Sequence, residues 1–195
     1  MTEDDARRPP LEPADKAALE RLLERARSGD EGAQEALYGM YKARIFGLAC
    51  RYTYDPVAAE DLLQDVFIKV FTHLEDVRDV ATMSAWVYRI ALNTCYSYLR
   101  SKKLRSRTMV PLSAMEGGLG EATYDTHETE LRKPVEEALR GLPARLRSVF
   151  VLHDLDGFKH GEISRILGCS VGTSKSQLFK ARMRIRESLK GKGVL

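Results

Sequence analysis

The sequence predicts an all-α protein: two small helical domains joined by a flexible linker, the C-terminal one containing a helix-turn-helix. Three observations carry that prediction. Apolar residues recur at spacings of three and four through most of the 195 residues, the period of an amphipathic helix. No segment shows the strict apolar–polar alternation of a half-buried strand. Between the two periodic regions, "TMVPLSAMEGGLGEATYDTHETE" loses the period and collects proline, glycine and acids. The expected divisions are a disordered arm (1–14), a first helical domain (15–107), an acidic linker (108–132) and a second helical domain (133–195).

The arm is polar and contains the Pro9–Pro10 pair. A short helix is expected over Ala14 to Arg27. Asp30 then suits the N-cap of a longer helix, whose Ala33, Leu37, Tyr41, Ile45, Leu48 and Tyr52 recur at helical spacing. The next start is the clearest in the chain. Asp55 can accept from free first-turn amides, and Pro56 occupies the first helical position, where its missing N–H costs nothing. In this helix Ala58, Leu62, Val66, Phe67, Val70 and Phe71 make an apolar face, while Glu60, Asp61, Gln64 and Asp65 make an acidic polar one. A further helix, "MSAWVYRIALNTCYSYLRSKK", is expected to bury Trp86 or Val87, Ile90 and Leu99, closing a bundle near Arg107.

The second unit is expected from about Pro134, with Pro134 and Pro143 each at a helix start and Gly157 interrupting before "KHGEISRILG". Ile163, Ile166 and Leu167 give a short helix its apolar edge. Gly168 can take the left-handed backbone that ends it, and Ser170 can cap the helix that follows. There Leu178, Ala181, Ile185 and Leu189 keep the period. Two helices locked by a tight turn, the second facing outward, make a helix-turn-helix. Its outward face carries Thr173, Lys175, Ser176, Gln177, Phe179, Lys180 and Arg184. The chemistry suits DNA. A capped N-terminus offers amides to phosphate. The cations can neutralise phosphates or donate to guanine, Gln177 can pair with adenine, and Phe179 can touch a thymine methyl.

Charge is patterned more sharply than the net +3 suggests. Ser97 to Arg107 holds five Lys/Arg and no acid. Glu116 to Glu130 holds five acids and no Lys/Arg. Lys175 to Lys192 holds seven Lys/Arg and one acid, Glu187. Two basic zones separated by an acidic one point to separate contacts with a polyanion. No signal-peptide core follows the N-terminus, and no apolar run is long enough to span a membrane, so a cytoplasmic protein without membrane insertion is expected. Cys50, Cys95 and Cys169 lack the spacing of a disulfide framework or zinc site, and reduced, mostly buried thiols are expected. His153 and His160 have no partner pattern. No metal or cofactor is expected.

The two halves together resemble one family. "AEDLLQDVFIKVF" followed by "SAWVYRIALNTCYSYLRSKK" resembles the paired core helices of bacterial RNA polymerase sigma factors of the extracytoplasmic-function (ECF) group. "LPARLRSVFVLHDLDGFKHGEISRILGCSVGTSKSQLFKARMRIRESL" resembles their promoter-reading C-terminal domain. The likeness covers residues 17–107 and 133–190.

The resemblance implies a non-enzymatic subunit that directs core RNA polymerase to promoters and helps open them. It implies that Glu60, Asp61, Gln64 and Asp65 dock on the polymerase clamp helices. The loop Val77 to Ser84 and the helix after it would receive the minus-ten element through Trp86, Tyr88, Arg89 and Asn93, with Arg100, Lys102 and Lys103 gripping phosphates. Trp86 suits a core position and a wedge against unpaired bases equally. Asn93 suits function, since an amide in a core needs buried partners. Lys175, Ser176, Phe179 and Lys180 match positions that meet the minus-thirty-five element. Val149, Val151 and Leu152 are either core or part of the face that packs on the polymerase flap. Asp125, Glu128 and Glu130 fit a linker threaded into the RNA channel and a merely soluble tether equally. A restraining anti-sigma protein is also implied.

Housekeeping sigma factors carry two adjacent tryptophans where this chain has Trp86 and Val87. That departure implies weaker melting and stricter promoter choice, with Val87→Trp helping duplex templates more than premelted ones.

Two other readings compete. A stand-alone helix-turn-helix regulator would use the first domain for dimerisation or sensing, but it does not require an acidic face beside a basic aromatic helix. An enzyme lacks support from any P-loop, metal-ligand spacing or nucleophile–base constellation.

Overall fold

The computed structural model describes the backbone of residues 16–108 and 129–194, and side chains over 16–104 and 133–194. The expected arm lies outside these residues. So does the linker over 109–128, including Asp125 and Glu128, and so does the side chain of Glu130. The described residues form helices joined by short turns, without a strand, and fall into two units.

The first unit contains α1 (Lys16–Arg27), α2 (Glu31–Thr53), α3 (Pro56–Thr72) and α4 (Met83–Thr108). Asp30 accepts from the Ala33 amide at 3.0 Å and starts α2. Asp55 accepts from the amides of Val57 (3.0 Å) and Ala58 (3.4 Å) and starts α3, with Pro56 in its first turn. These caps satisfy amides that have no intrahelical partner. α2 packs against the other three helices, and all six of its expected apolar positions are buried. α3 contributes Leu62, Leu63, Val66, Phe67 and Val70, with Ala59 replacing the expected Ala58 and with Phe71 half-buried.

α4 departs from expectation in phase. Val87 is fully enclosed and Trp86 half-buried, while the expected core residues Ile90 and Leu99 are only half-buried. Tyr88, Ala91, Leu92 and Cys95 face the core instead. The segment Trp86 to Leu92 is apolar almost all round, so its period leaves the phase open. Two earlier expectations change. Tyr88, at 1% exposure, offers no surface to DNA. Val87 is not an exposed seat for a second tryptophan, so the expected effect of Val87→Trp on melting falls away.

Between α3 and α4 run two 3-10 turns, Leu74–Asp76 and Val80–Thr82. Every third residue here, Leu74, Val77, Val80 and Met83, is buried.

The second unit contains α5 (Thr129–Arg140), α6 (Ala144–Phe150), a π-helical turn (Val151–Leu155), α7 (His160–Leu167) and α8 (Val171–Lys190). α5 begins before the expected boundary and carries Pro134 inside it. Pro134 lies beyond the first four residues of α5, so it removes one backbone hydrogen bond from that helix. Pro143 precedes α6 as its N-cap residue. Ala138, Leu139 and Leu142 pack on Ala181, Ile185 and Leu189 of α8. Val149, Val151 and Leu152 are fully enclosed, which places them in the core and leaves them no surface for a flap contact. The buried Arg147 guanidinium donates to the carbonyls of Arg140 (3.0 Å) and Leu142 (3.2 Å), closing the end of α5.

All three cysteines are free thiols. Cys95 is buried, while Cys50 and Cys169 are half-buried, so "mostly buried" holds for one of three. Burial pushes the Cys95 thiol up to about 12. Among the described residues no helix is long and apolar enough to cross a membrane.

Candidate functional site

Three surfaces gather the residues singled out above. The first is the outer face of α3. Glu60, Asp61, Gln64 and Asp65 are all exposed there. Spacings of three and four put them on adjoining strips of one face. Val57 (71% exposed) and Ile68 (64%) stand at either end of that face. Exposed apolar groups flanking acids make a surface suited to a protein partner, since bare acids would repel nucleic acid. Neither Val57 nor Ile68 stands out in the sequence, because the α3 period assigns them only a polar position.

The second surface is an open groove of about 500 Å³ between the end of α3 and α4. Trp86, Arg89 and Asn93 line it from α4, one helical turn apart, and Lys69 and His73 line it from α3 and the turn after. The structure thus brings together three of the four residues expected at a minus-ten site and sends the fourth, Tyr88, into the core. Lys69 donates to Thr94 Oγ1 at 3.0 Å, tying the two walls. Lys69 escapes sequence reading because it lies on a different helix from the residues it joins. Arg100, Lys102 and Lys103 are exposed further along α4. Arg100 donates to Ser97 Oγ at 3.1 Å, and the Lys102 ammonium lies 5.8 Å from the centre of the Tyr98 ring.

The third surface is α8 with the turn before it. Gly168 ends α7 with φ 61°, in the left-handed region that favours glycine. Ser170 Oγ accepts from the Thr173 amide at 3.0 Å and lies 2.8 Å from Thr173 Oγ1. Thr173 is therefore half-buried and engaged in the cap. Lys175, Ser176, Phe179, Lys180 and Arg184 are exposed and Gln177 is half-buried. Phe179 is 67% exposed, with Met183 one turn on at 37%. Phe179 and Met183 thus place an apolar strip among the cations of this helix.

A polar network fixes the pose of α8. Arg182 donates to both carboxylate oxygens of Asp154, at 2.9 and 2.7 Å, and His153 Nδ1 donates to the same group at 2.8 Å. His160 Nδ1 lies 2.9 Å from Ser174 Oγ, and the His153 and His160 rings stack at 4.5 Å. No sequence spacing links these histidines: the contacts of His160 with Ser174 and with the His153 ring cross between elements, although Asp154 adjoins His153 in the chain.

Two family models match the chain: Sigma-70 region 2 over residues 37–105, and Sigma-70, region 4 over residues 132–185. The RNA polymerase sigma-H factor of Pseudomonas aeruginosa is 30% identical over 179 residues, covering 87% of this chain and 93% of the relative. The ECF RNA polymerase sigma-E factor of Escherichia coli K12 is 33% identical over 174 residues, covering 84% and 90%. The chain belongs to the ECF group of the sigma-70 family. Among solved structures, the sigma factor RpoE of Bartonella quintana, in complex with the anti-sigma factor NepR, is 25% identical with a TM-score of 0.67 over 80% of this chain and 96% of that one. CnrH, in complex with the cytosolic domain of CnrY, has the same TM-score at 22% identity, over 89% and 98%, and shows the shared fold.

As a sigma factor the chain directs RNA polymerase to promoters for transcription initiation. The stand-alone regulator is not favoured: the region 2 match covers most of the first unit, which that reading leaves to dimerisation or sensing.

Proposed function

We propose that this sigma factor divides its task among the three surfaces. The acidic face of α3 fastens to the clamp helices of core RNA polymerase through Glu60, Asp61, Gln64 and Asp65. The groove beside Trp86, Arg89 and Asn93, with the segment Val77 to Ser84, takes the minus-ten element once the strands part. Unpaired bases expose π-faces and edges that an aromatic ring, a guanidinium and an amide can bind. Arg100, Lys102 and Lys103 hold the adjoining phosphates. α8 enters the duplex at the minus-thirty-five element, with Lys175, Gln177, Phe179, Lys180 and Arg184 toward the groove. Thr173 and Ser176 keep the helix start in shape: Ser176 donates to the Thr173 carbonyl at 3.0 Å.

The protein acts by binding and not by catalysis, in the cytoplasm, and an anti-sigma protein covers these surfaces when it restrains them. The observation that carries this reading is the pairing, on one small bundle, of an exposed acidic face on α3 with the Trp86–Arg89–Asn93 groove beside α4. Run-off transcription with purified core polymerase on a promoter library tests it. Promoter-specific transcripts should appear only when the protein is added. Duplex binding indifferent to polymerase, with no such transcripts, would refute it.

A further inference from the structure

We infer that α1 is a splint for the segment that selects minus-ten bases, and that Arg27 is its positioning residue. The inference rests on the role given above to residues 77–84. α1 lies before the residues matched by the region 2 family model, 37–105, and no role has yet been given to it.

The segment joining α3 to α4 has little bonding of its own. Asp76 N donates to His73 O (3.0 Å), Val77 N to Leu74 O (3.3 Å) and Thr82 N to Asp79 O (2.9 Å), each closing a single 3-10 turn. Val77, Arg78 and Asp79 run between those turns outside any helix. A stretch of this kind keeps one shape only through contacts with the rest of the fold. Apolar anchors supply part of that: Leu74 and Val77 are each 2% exposed. Anchoring them brings their backbone carbonyls close to α1: Leu74 O already accepts from Val77 N and has a second lone pair to offer, while Val77 O takes its donor from α1.

Arg27 supplies the donors. Its Nε donates to Leu74 O at 3.3 Å and its Nη2 donates to Val77 O. Arg27 Nε also lies 3.7 Å from Glu75 Oε2. A planar guanidinium can serve two carbonyls at once, whereas a lysine ammonium is a single point. At the other end of the segment, Lys16 Nζ lies 3.8 Å from Asp79 Oδ1. Asp79 in turn accepts from the Ala81 amide at 3.0 Å and starts the second 3-10 turn. Lys16 and Arg27 are separated by about three helical turns and so share one face of α1. The segment runs antiparallel along that face, held by Arg27 at one end, with the exposed Lys16–Asp79 pair, which Lys16 shares with Glu20, at the other. Between these ends Asp76 and Arg78 are exposed. α1 touches no base in this scheme; it fixes which side chains the segment shows to one.

The test uses the full chain reconstituted with core RNA polymerase and a promoter library randomised at both elements. Arg27→Gln should flatten base preference at the minus-ten positions by roughly tenfold, the size of a lost hydrogen bond from a charged donor. Preferences at the minus-thirty-five element should not change. Arg27→Lys should fall between. Amides of residues 76–82 should exchange hydrogen faster in Arg27→Gln, and those of α2 should not. Asn93→Ala serves as the second arm. If it alters minus-ten preference and Arg27→Gln does not, the inference falls and the groove reading stands. If Asn93→Ala changes nothing at minus-ten, the groove reading falls and takes the inference with it. Equal losses at both elements in Arg27→Gln would make Arg27 merely structural and overturn the proposal. Should Arg27→Gln not fold, Arg27→Lys carries the same comparison.

Discussion

Asp154 joins the π-helical turn after α6 to α8, and its chemistry can be read out by pH. Burial alone would raise its pKa. The hydrogen bonds from His153 and Arg182, with the positive charge of Arg182, outweigh burial and hold the carboxyl well below the usual carboxylate range. A depressed folded pKa adds stability that is fully present above the unfolded value, about 3.9. That stability is lost as pH falls below it toward the folded value. Asp154→Asn should therefore destabilise the second unit by about 2 kcal/mol at neutral pH, the worth of hydrogen bonds to a charged group. It should also remove part of the acid-side loss that the unaltered protein shows below about pH 4. Denaturant titrations of both chains from neutral to acid pH check this; parallel pH profiles would contradict it.

Val87 gives a second residue-scale test. It is fully enclosed, so Val87→Trp overpacks the first unit and should cost about 1–3 kcal/mol. Thermal unfolding would show a lowered midpoint, and an unchanged midpoint would mean the site is looser than it looks. Residues of this kind were the least legible in the sequence. Arg27 and Arg147 look like surface cations there, yet both donate to backbone carbonyls that only the tertiary fold presents to them.

At the scale of elements, legibility followed the contrast between faces. α2 mixes small, apolar and charged residues cleanly, and every expected core position is buried. The cap residues Asp30, Asp55, Gly168 and Ser170 signal themselves because their chemistry is local. α4 lacks contrast over Trp86 to Leu92, so its phase was set by packing against α2 and α3, which the sequence does not display. The same rotation that buries Tyr88 turns Trp86, Arg89 and Asn93 into the groove. Trp86 is half-buried, which leaves part of its ring for a base. Stacking of a base on an aromatic side chain is worth about 1–3 kcal/mol. Trp86→Ala should thus reduce initiation on duplex promoters roughly tenfold and do much less on templates already opened. Abortive-transcript yields on the two templates measure the difference, and equal losses would return Trp86 to a purely structural role.

At the scale of the whole molecule, the proposed function gives each of the two helical units a surface for DNA, and the chain between them would make the second contact intramolecular. In the proposed scheme each surface alone binds weakly and linkage raises the local concentration of the other. A chain cleaved between residues 108 and 129 should lose roughly a hundredfold in affinity for a two-element promoter, measured as the salt-matched dissociation constant of the holoenzyme. Cleavage without effect would mean that one unit supplies nearly all the binding. The two-unit plan was readable from composition, because proline, glycine and acids replace the apolar period between the units. Its later edge was not, because α5 runs through Pro134 and starts at Thr129.

In the proposed scheme α3 fastens the chain to polymerase while the basic surfaces choose the site. The most direct test is the affinity of core RNA polymerase for the full chain and for the Asp61→Asn/Asp65→Asn double variant, measured in solution at fixed salt. Neutralising these two exposed carboxylates should weaken association by roughly tenfold or more, while the variant keeps its fold and its contact with minus-thirty-five duplex. A double variant that holds core polymerase as tightly as the unaltered chain would contradict the scheme.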